Sequence, residues 1–105
     1  MDRRDGLMQV KVVRFYLSED SPHLKQIYDY LHDQKVMGAT MFRGVKGFGS
    51  SGKMREARLL DIHFDLPIVI EFVEEPAKAD EILNHFSTLL EGNRILSWTA
   101  EMGVS

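Results

Sequence analysis

The apolar positions of this chain group into short extended runs separated by two helical stripes. From Met8 to Leu17, the residues Val10, Val12, Val13, Phe15, Tyr16 and Leu17 form an almost continuous apolar run. A run without clean alternation suits a strand covered on both faces. Lys11 and Arg14 interrupt it, so one face of this strand is expected to meet something polar or another subunit. Ser21 and Pro22 then signal a helix start, with Ser21 as the N-cap and Pro22 at the first helical position. Leu24, Ile27, Tyr28 and Leu31 follow at i, i+3, i+4 and i+7, which marks one apolar helical face. Gly38 is expected to stop that helix as a left-handed cap. A second strand runs from Ala39 to about Lys46 and carries Thr40, Phe42 and Val45, residue types that suit a half-buried pleated surface. A third extended segment begins at Arg58-Leu59-Leu60-Asp61-Ile62. Asp65-Leu66-Pro67 reads as a turn, and Ile68 to Val73 as the clearest strand, with Pro67 only at its start because proline lacks a ladder donor. Glu74, Glu75 and Pro76 open a second helix with acidic residues at the favourable dipole end. Ile82, Leu83, Phe86, Leu89 and Leu90 make its buried stripe, Gly92 caps it, and Ile95 to Val104 closes the chain as a final strand.

The order β-α-β-β-α-β predicts an α+β, ferredoxin-like sandwich, an antiparallel sheet with two helices on one face. Val, Ile, Phe and Leu occupy both parities of the strands, so the opposite face needs cover too. The simplest source of that cover is an oligomer whose sheets pack on one another. Residues 1–7 read as a flexible N-terminus and residues 8–105 as one domain, large enough for a modest single core without staples. The absence of cysteine excludes a disulfide framework, a thiolate zinc site and thiol catalysis, and favours a reducing, cytoplasmic setting. No apolar run approaches the length that spans a bilayer, and no signal-peptide pattern follows Met1. A net charge of -3 with pI near 5.8 argues against generic nucleic-acid binding, because such domains are usually basic. The positive charge is instead local, clustered between Arg43 and Arg58.

That local charge surrounds the candidate chemistry. The stretch Gly38-Ala39-Thr40-Met41-Phe42-Arg43-Gly44-Val45-Lys46-Gly47-Phe48-Gly49 runs from a strand into a basic loop over residues 47–58. Gly47, Gly49 and Gly52 allow close backbone approach, and Lys46, Lys53, Arg55 and Arg58 flank them. Bare amides with flanking cations are what an anion or phosphate site needs. A loop this long without structure of its own is uncommon unless functional or disordered. The amides near Gly47 and Gly49, with Lys46 and Lys53, are therefore expected to hold an anionic ligand. Arg14, Arg43 and Glu71 sit in strands and read first as ion pairs between strands or subunits, so Glu71 is expected to face an arginine. The less favoured reading sends Arg43 to a ligand in an intersubunit cleft.

The remaining chemistry is sparse. His23, His32, His63 and His85 show no ligand spacing. His32 and His85 fall on polar helix faces, and His63 between Asp61 and Asp65 reads as a surface turn, so no metal site is expected. Ser50 and Ser51 have no nearby base, and no catalytic residue emerges. The expectation is a protein that is not an enzyme. Phe15, Tyr16, Phe42, Phe72 and Trp98 read as core or interface rather than a stacking platform. Met37, Met41 and Met54 suit adaptable contacts.

Val45-Lys46-Gly47-Phe48-Gly49 resembles the strand-to-T-loop junction of the PII signalling proteins. More of the chain is similar to the PII-like DUF190 family, through Arg14-Phe15-Tyr16, Gly38-Ala39-Thr40, Arg43-Gly44-Val45-Lys46-Gly47-Phe48-Gly49 and Asp65-Leu66-Pro67-Ile68-Val69-Ile70-Glu71. The resemblance implies a homotrimer with three outward T-loop-like segments and ligand clefts between neighbouring subunits. It implies an adenine nucleotide (ATP, ADP or AMP) as effector and a membrane transporter or an enzyme as target of the loop. Carried over by residue, Lys46, Gly47, Phe48 and Gly49 match the loop base. PII proteins continue with a basic, glutamine-containing segment where this chain has Ser50-Ser51-Gly52-Lys53. Their second glycine-rich loop corresponds to Glu91-Gly92-Asn93-Arg94, where Arg94 is the candidate to replace its lysine. With Arg43 and Lys53 from the residue reading above, the candidate ligand-binding set is Arg43, Lys46, Gly47, Phe48, Gly49, Lys53 and Arg94. Two other classes share the fold. One is a structural or metal-tolerance trimer of CutA type. The other is a small acylphosphatase-like enzyme, whose phosphate loop would fall on the acidic Ser18-Glu19-Asp20.

Overall fold

Strand and helix positions follow the apolar pattern closely. The computed structural model describes residues 3–4, 6–48, 54–56, 66–90 and 94–103, with the side chains of residues 3–4 and 54–56 excepted. The elements in chain order are β1 (Arg3–Arg4), β2 (Leu7–Ser18), α1 (Leu24–Asp33), β3 (Gly38–Arg43), β4 (Lys46–Phe48), β5 (Met54–Glu56), β6 (Pro67–Glu74), α2 (Pro76–Phe86) and β7 (Arg94–Gly103). The main sheet runs β3-β6-β2-β7, every neighbouring pair antiparallel, and β1 folds back on Leu7 and Met8 through Gly6 at φ 75°. Strand β6 lies between β2 and β3, so the first strand–helix–strand unit is split by the strand that follows it. This is the ferredoxin-like topology.

Register assigns the faces, because residues paired across antiparallel strands share one face. Val13 pairs Phe72, Phe15 pairs Ile70 and Leu17 pairs Ile68. All six are buried, together with Ile27 and Leu31 of α1 and Ala79, Ile82, Phe86 and Leu90 from α2 and the turn after it. Phe15 is the hinge of this core. It stacks on Phe72 at 5.8 Å and meets the Phe86 ring edge-on at 5.6 Å. Lys11, one of the two charges that interrupt the first apolar run, pairs with Asp80 of α2.

The other face carries no helix among the described residues. Tyr16, Phe42, Leu96 and Trp98 stand exposed on it, with Val12, Val69 and Val73 half-buried between them. Tyr16, Phe42 and Trp98 thus belong to this open face, while Phe15 and Phe72 belong to the core. Arg14, Glu71 and Thr40 form the row between the open-face residues, so the face is apolar along two rows and charged along the middle one.

Both ends of α1 differ from the expectation. The helix starts at Leu24, two residues later than Pro22 suggests. The hydroxyl of Ser21 accepts a bond from the His23 backbone N–H at 3.2 Å, a local turn that takes the place of a cap inside the helix. At the other end Gly38 is not the cap but the first residue of β3. The left-handed position falls on Lys35, at φ 53°. The Lys35 N–H donates to the His32 carbonyl at 3.0 Å and the Val36 N–H to the Leu31 carbonyl at 3.4 Å, the paired bonds of a Schellman motif. Val36 then packs against the core, which fixes the exit at residue 35 whatever its identity. A side chain in this conformation costs about 1 kcal/mol or more. Lys35→Gly is therefore expected to raise the unfolding free energy by up to about 1 kcal/mol, net of glycine's greater freedom when unfolded. Its urea midpoint should increase, and a lower midpoint would contradict this cap.

Candidate functional site

The second strand stops at Arg43 rather than continuing to Lys46, and the reason is steric. Gly44 lies against Pro67 and its N–H donates to the Pro67 carbonyl at 2.8 Å. A Cβ at Gly44 would stand 2.7 Å from the Pro67 Cγ, and one at Gly47 would stand 3.2 Å from the same atom. Close approach to the proline ring thus requires glycine at position 44 and leaves little room for a side chain at position 47. Past this clamp the chain leaves the sheet as an arm. Lys46–Phe48 pairs antiparallel with Met54–Glu56, Lys46 opposite Glu56 and Phe48 opposite Met54. The segment read as an unstructured loop is therefore a two-stranded ribbon at its root. Phe48 on this ribbon is 73% exposed, as is Val45 before it at 74%.

Arg43 does not pair with Glu71. Its guanidinium reaches both carboxylate oxygens of Glu19, at 3.0 and 3.1 Å. Glu19 is held in turn by its backbone N–H, which donates to the Leu66 carbonyl at 2.7 Å. Leu66 precedes Pro67, and Pro67 clamps Gly44, the neighbour of Arg43. Three interactions thus close a ring from Glu19 through Arg43, Gly44, Pro67 and Leu66 back to Glu19. This ring roots the arm in the ends of β2, β3 and β6.

Glu71 does face an arginine, as expected, but it is Arg14. The Arg14 Nε donates to Glu71 Oε1 at 2.8 Å. That carboxylate, with help from the Tyr16 hydroxyl, raises the Arg14 pKa above its ordinary value. The guanidinium also lies 5.5 Å from the Trp98 ring centroid, a cation–π distance. This group occupies the open face of the sheet.

Arg94 stands at the start of β7 opposite Tyr16, also toward the open face. It shares one end of the sheet with Arg43 and Lys46, since Ser18 pairs Pro67 and Arg43 pairs Ile68 there. It is nevertheless on the far edge. Three strand spacings separate β7 from β3, about 14 Å at ~4.8 Å each. One chain therefore brings Arg43, Lys46, Gly47 and Phe48 together and leaves Arg94 apart. Gly49, Gly52 and Lys53 lie outside the described residues, as do the extended segment from Arg58, His63 and its neighbouring aspartates, and the Gly92 cap.

Other features fall elsewhere. A shallow pocket of about 280 Å³ lies at the C-terminal end of α1, lined by Tyr28, Leu31, His32, Lys35, Val36 and Ala39. It borders the first residues of β3, at the opposite end of that strand from Arg43, away from the candidate anion-binding residues. His85 is more than a solvated residue on a polar face. Its ring stacks on Tyr30 at 4.1 Å and 5°, tying α1 to α2. Among the described residues no three metal-ligating side chains converge, and no helix is long and apolar enough to cross a membrane.

Sequence reasoning missed Glu19 and Pro67 as parts of the arm's root. Neither has a local signal there. Glu19 lies 24 positions before Arg43, and only the sheet brings them together.

An antiparallel sheet with two helices on one face and a ribbon arm after β3 give the chain a PII-like fold. The apo form of CPII from Thiomonas intermedia K12, a nitrogen regulatory PII-like protein, matches at a TM-score of 0.66 with 18% identity over 94% of this chain and 97% of that one. The same protein bound to ADP, AMP and bicarbonate matches at 0.67, with 23% identity over 91% of this chain and 88% of that one. A UPF0166 protein of Aquifex aeolicus is 28% identical over 82 residues, covering 73% of this chain and 78% of its own. The family model DUF190, described as uncharacterized ACR, COG1993, matches residues 10–102, and the chain belongs to that family.

Proposed function

We propose that this chain is a trimeric regulatory protein, not an enzyme, that binds an adenine nucleotide in the seams between its subunits. The observation that carries this reading is the split of its cations. Arg43 and Lys46 stand at one edge of the sheet and Arg94 at the other, at the same end. A single ligand touching both sets needs the β3 edge of one copy beside the β7 edge of another. The exposed apolar residues of the open face supply a reason for copies to assemble, because burying Tyr16, Leu96 and Trp98 removes apolar area from water. The nucleotides bound by CPII support the choice of ligand class. Ligand binding at the arm's root shifts the arm between two states, to the extent that the ligand prefers one of them. The exposed Phe48 and Val45 then offer apolar contacts to a target, a membrane transporter or an enzyme. The setting proposed is the cytoplasm, and no nucleic acid takes part.

Calorimetric titration with ATP, ADP, AMP and cyclic nucleotides tests the ligand. Saturable binding of at least one of them, one molecule per subunit, is expected. Absence of heat from all of them, with the oligomer intact, contradicts the reading.

A further inference from the structure

We propose that Glu19 is a built-in substitute for the ligand's phosphate, occupying Arg43 until an anionic group displaces it and so setting both the affinity of the site and the state of the arm. This inference rests on the nucleotide-binding reading above. Arg43 adjoins Gly44 at the arm's root, and its Nη2 already contacts both carboxylate oxygens of Glu19, at 3.0 and 3.1 Å. Both contacts come from the one nitrogen Nη2, whereas a phosphate can take two guanidinium nitrogens side by side. The two partners differ in how firmly they are held. The Glu19 side chain is 19% exposed and its backbone is bonded to Leu66, whereas the Arg43 side chain is 55% exposed. Glu19 is the fixed member and Arg43 the one free to swing toward a ligand in the seam.

Energetics favour an exchange. A half-exposed ion pair is weak, because water screens the attraction and two side chains must be ordered. A polyphosphate carries more charge than one carboxylate and can meet two guanidinium nitrogens at once, so it competes successfully. A singly charged carboxylate offers no such advantage. The site should therefore discriminate di- and triphosphates from weaker anions, with Glu19 setting the threshold.

Displacement also has a mechanical consequence. The Glu19–Arg43 pair is the only side-chain link in the ring that otherwise runs through the backbone bonds at Leu66 and Pro67. Opening it removes that side-chain tie between the end of β3 and the turn between β2 and α1, and leaves the two backbone bonds as the remaining hold. The arm continues from that same strand end through Gly44 and Val45. Occupancy of the seam is thereby coupled to the arm's root by one exchange of partners at Arg43.

The test is calorimetry with ATP and with inorganic pyrophosphate on wild type, Glu19→Gln, Arg43→Gln, the Glu19→Gln/Arg43→Gln double variant and Asp20→Asn. Asp20 is the control, because it is an adjacent carboxylate that bonds Ser18 rather than Arg43. Glu19→Gln is expected to bind about two- to fivefold tighter than wild type, the scale of an exposed ion pair. Asp20→Asn should change affinity less, and the gain from Glu19→Gln should vanish in the Arg43→Gln background. Amide hydrogen exchange at Gly44 to Phe48 in ligand-free Glu19→Gln should move toward that of ligand-saturated wild type. If wild type binds ATP but Glu19→Gln binds no tighter, or gains equally without Arg43, the exchange at Arg43 is wrong and the nucleotide reading stands. If neither ligand binds wild type or Glu19→Gln, both fail together.

Discussion

Phe86→Ala is expected to lower the unfolding free energy by about 3–5 kcal/mol, the range for removing a buried aromatic ring. Phe86 is fully buried where α2 meets the sheet. It contacts Phe15 edge-on at 5.6 Å and Tyr30 at 5.0 Å, and so joins β2, α1 and α2 at one point. No neighbour is positioned to refill the space, because Phe15 is already fixed against Phe72. A domain of this kind holds about 5–15 kcal/mol in all, so one substitution removes a large share of it. Urea unfolding at matched protein concentration measures the loss, matched because assembly adds to apparent stability. A loss below about 1 kcal/mol would mean that α2 is not seated on the sheet as described.

Trp98→Lys is expected to separate the subunits while leaving each one folded. Trp98 is 40% exposed in the single chain, so its replacement disturbs little of the internal core. In an assembly that covers the open face, however, it would place a second cation beside Arg14 with no partner. An unpaired buried charge costs about 3–5 kcal/mol. At 1.4 kcal/mol per factor of ten, that is about a 100-fold or greater loss of association. Nucleotide binding should fall with it, since Arg94 and Arg43 then no longer share a seam. Sedimentation combined with circular dichroism separates the two effects. The expected result is a smaller particle with unchanged secondary structure. An oligomer of wild-type size would show that this face is not where the copies meet.

The parts of the fold that were legible in the sequence are those set by local periodicity. Of the stripe predicted for α1, Ile27 and Leu31 are buried, Leu24 is partly buried and Tyr28 is exposed; of that predicted for the second helix, Ile82, Phe86 and Leu90 are buried and Leu83 and Leu89 partly so, because such a stripe is a property of a few consecutive residues. Pro67 at the start of β6 was equally plain, since proline tolerates little else. What was not legible depends on partners distant in sequence. Gly38 has the residue type of a helix cap, but the exit of α1 is set by Val36 returning to the core, so Lys35 takes the left-handed position. Gly47 suggests close approach to a ligand from its sequence context, yet in the structure what lies against it, and against Gly44, is the ring of Pro67. Arg43 was rightly expected in an ion pair, but nothing near it in sequence names Glu19. Arg94 was grouped with Lys46 by resemblance, and only the strand order shows that one chain keeps them on opposite edges. His85 illustrates the same limit, since its position on a polar helix face conceals the Tyr30 ring that stacks on it.

Native mass spectrometry of the purified protein addresses the central claim most directly, because subunit number and bound nucleotide are read in one spectrum. The account predicts a particle of three times the 12.1 kDa chain, taking up to three ATP molecules as the nucleotide is added. A stable 12.1 kDa monomer at micromolar concentration would contradict it, because Arg43 and Arg94 could then never meet around one ligand.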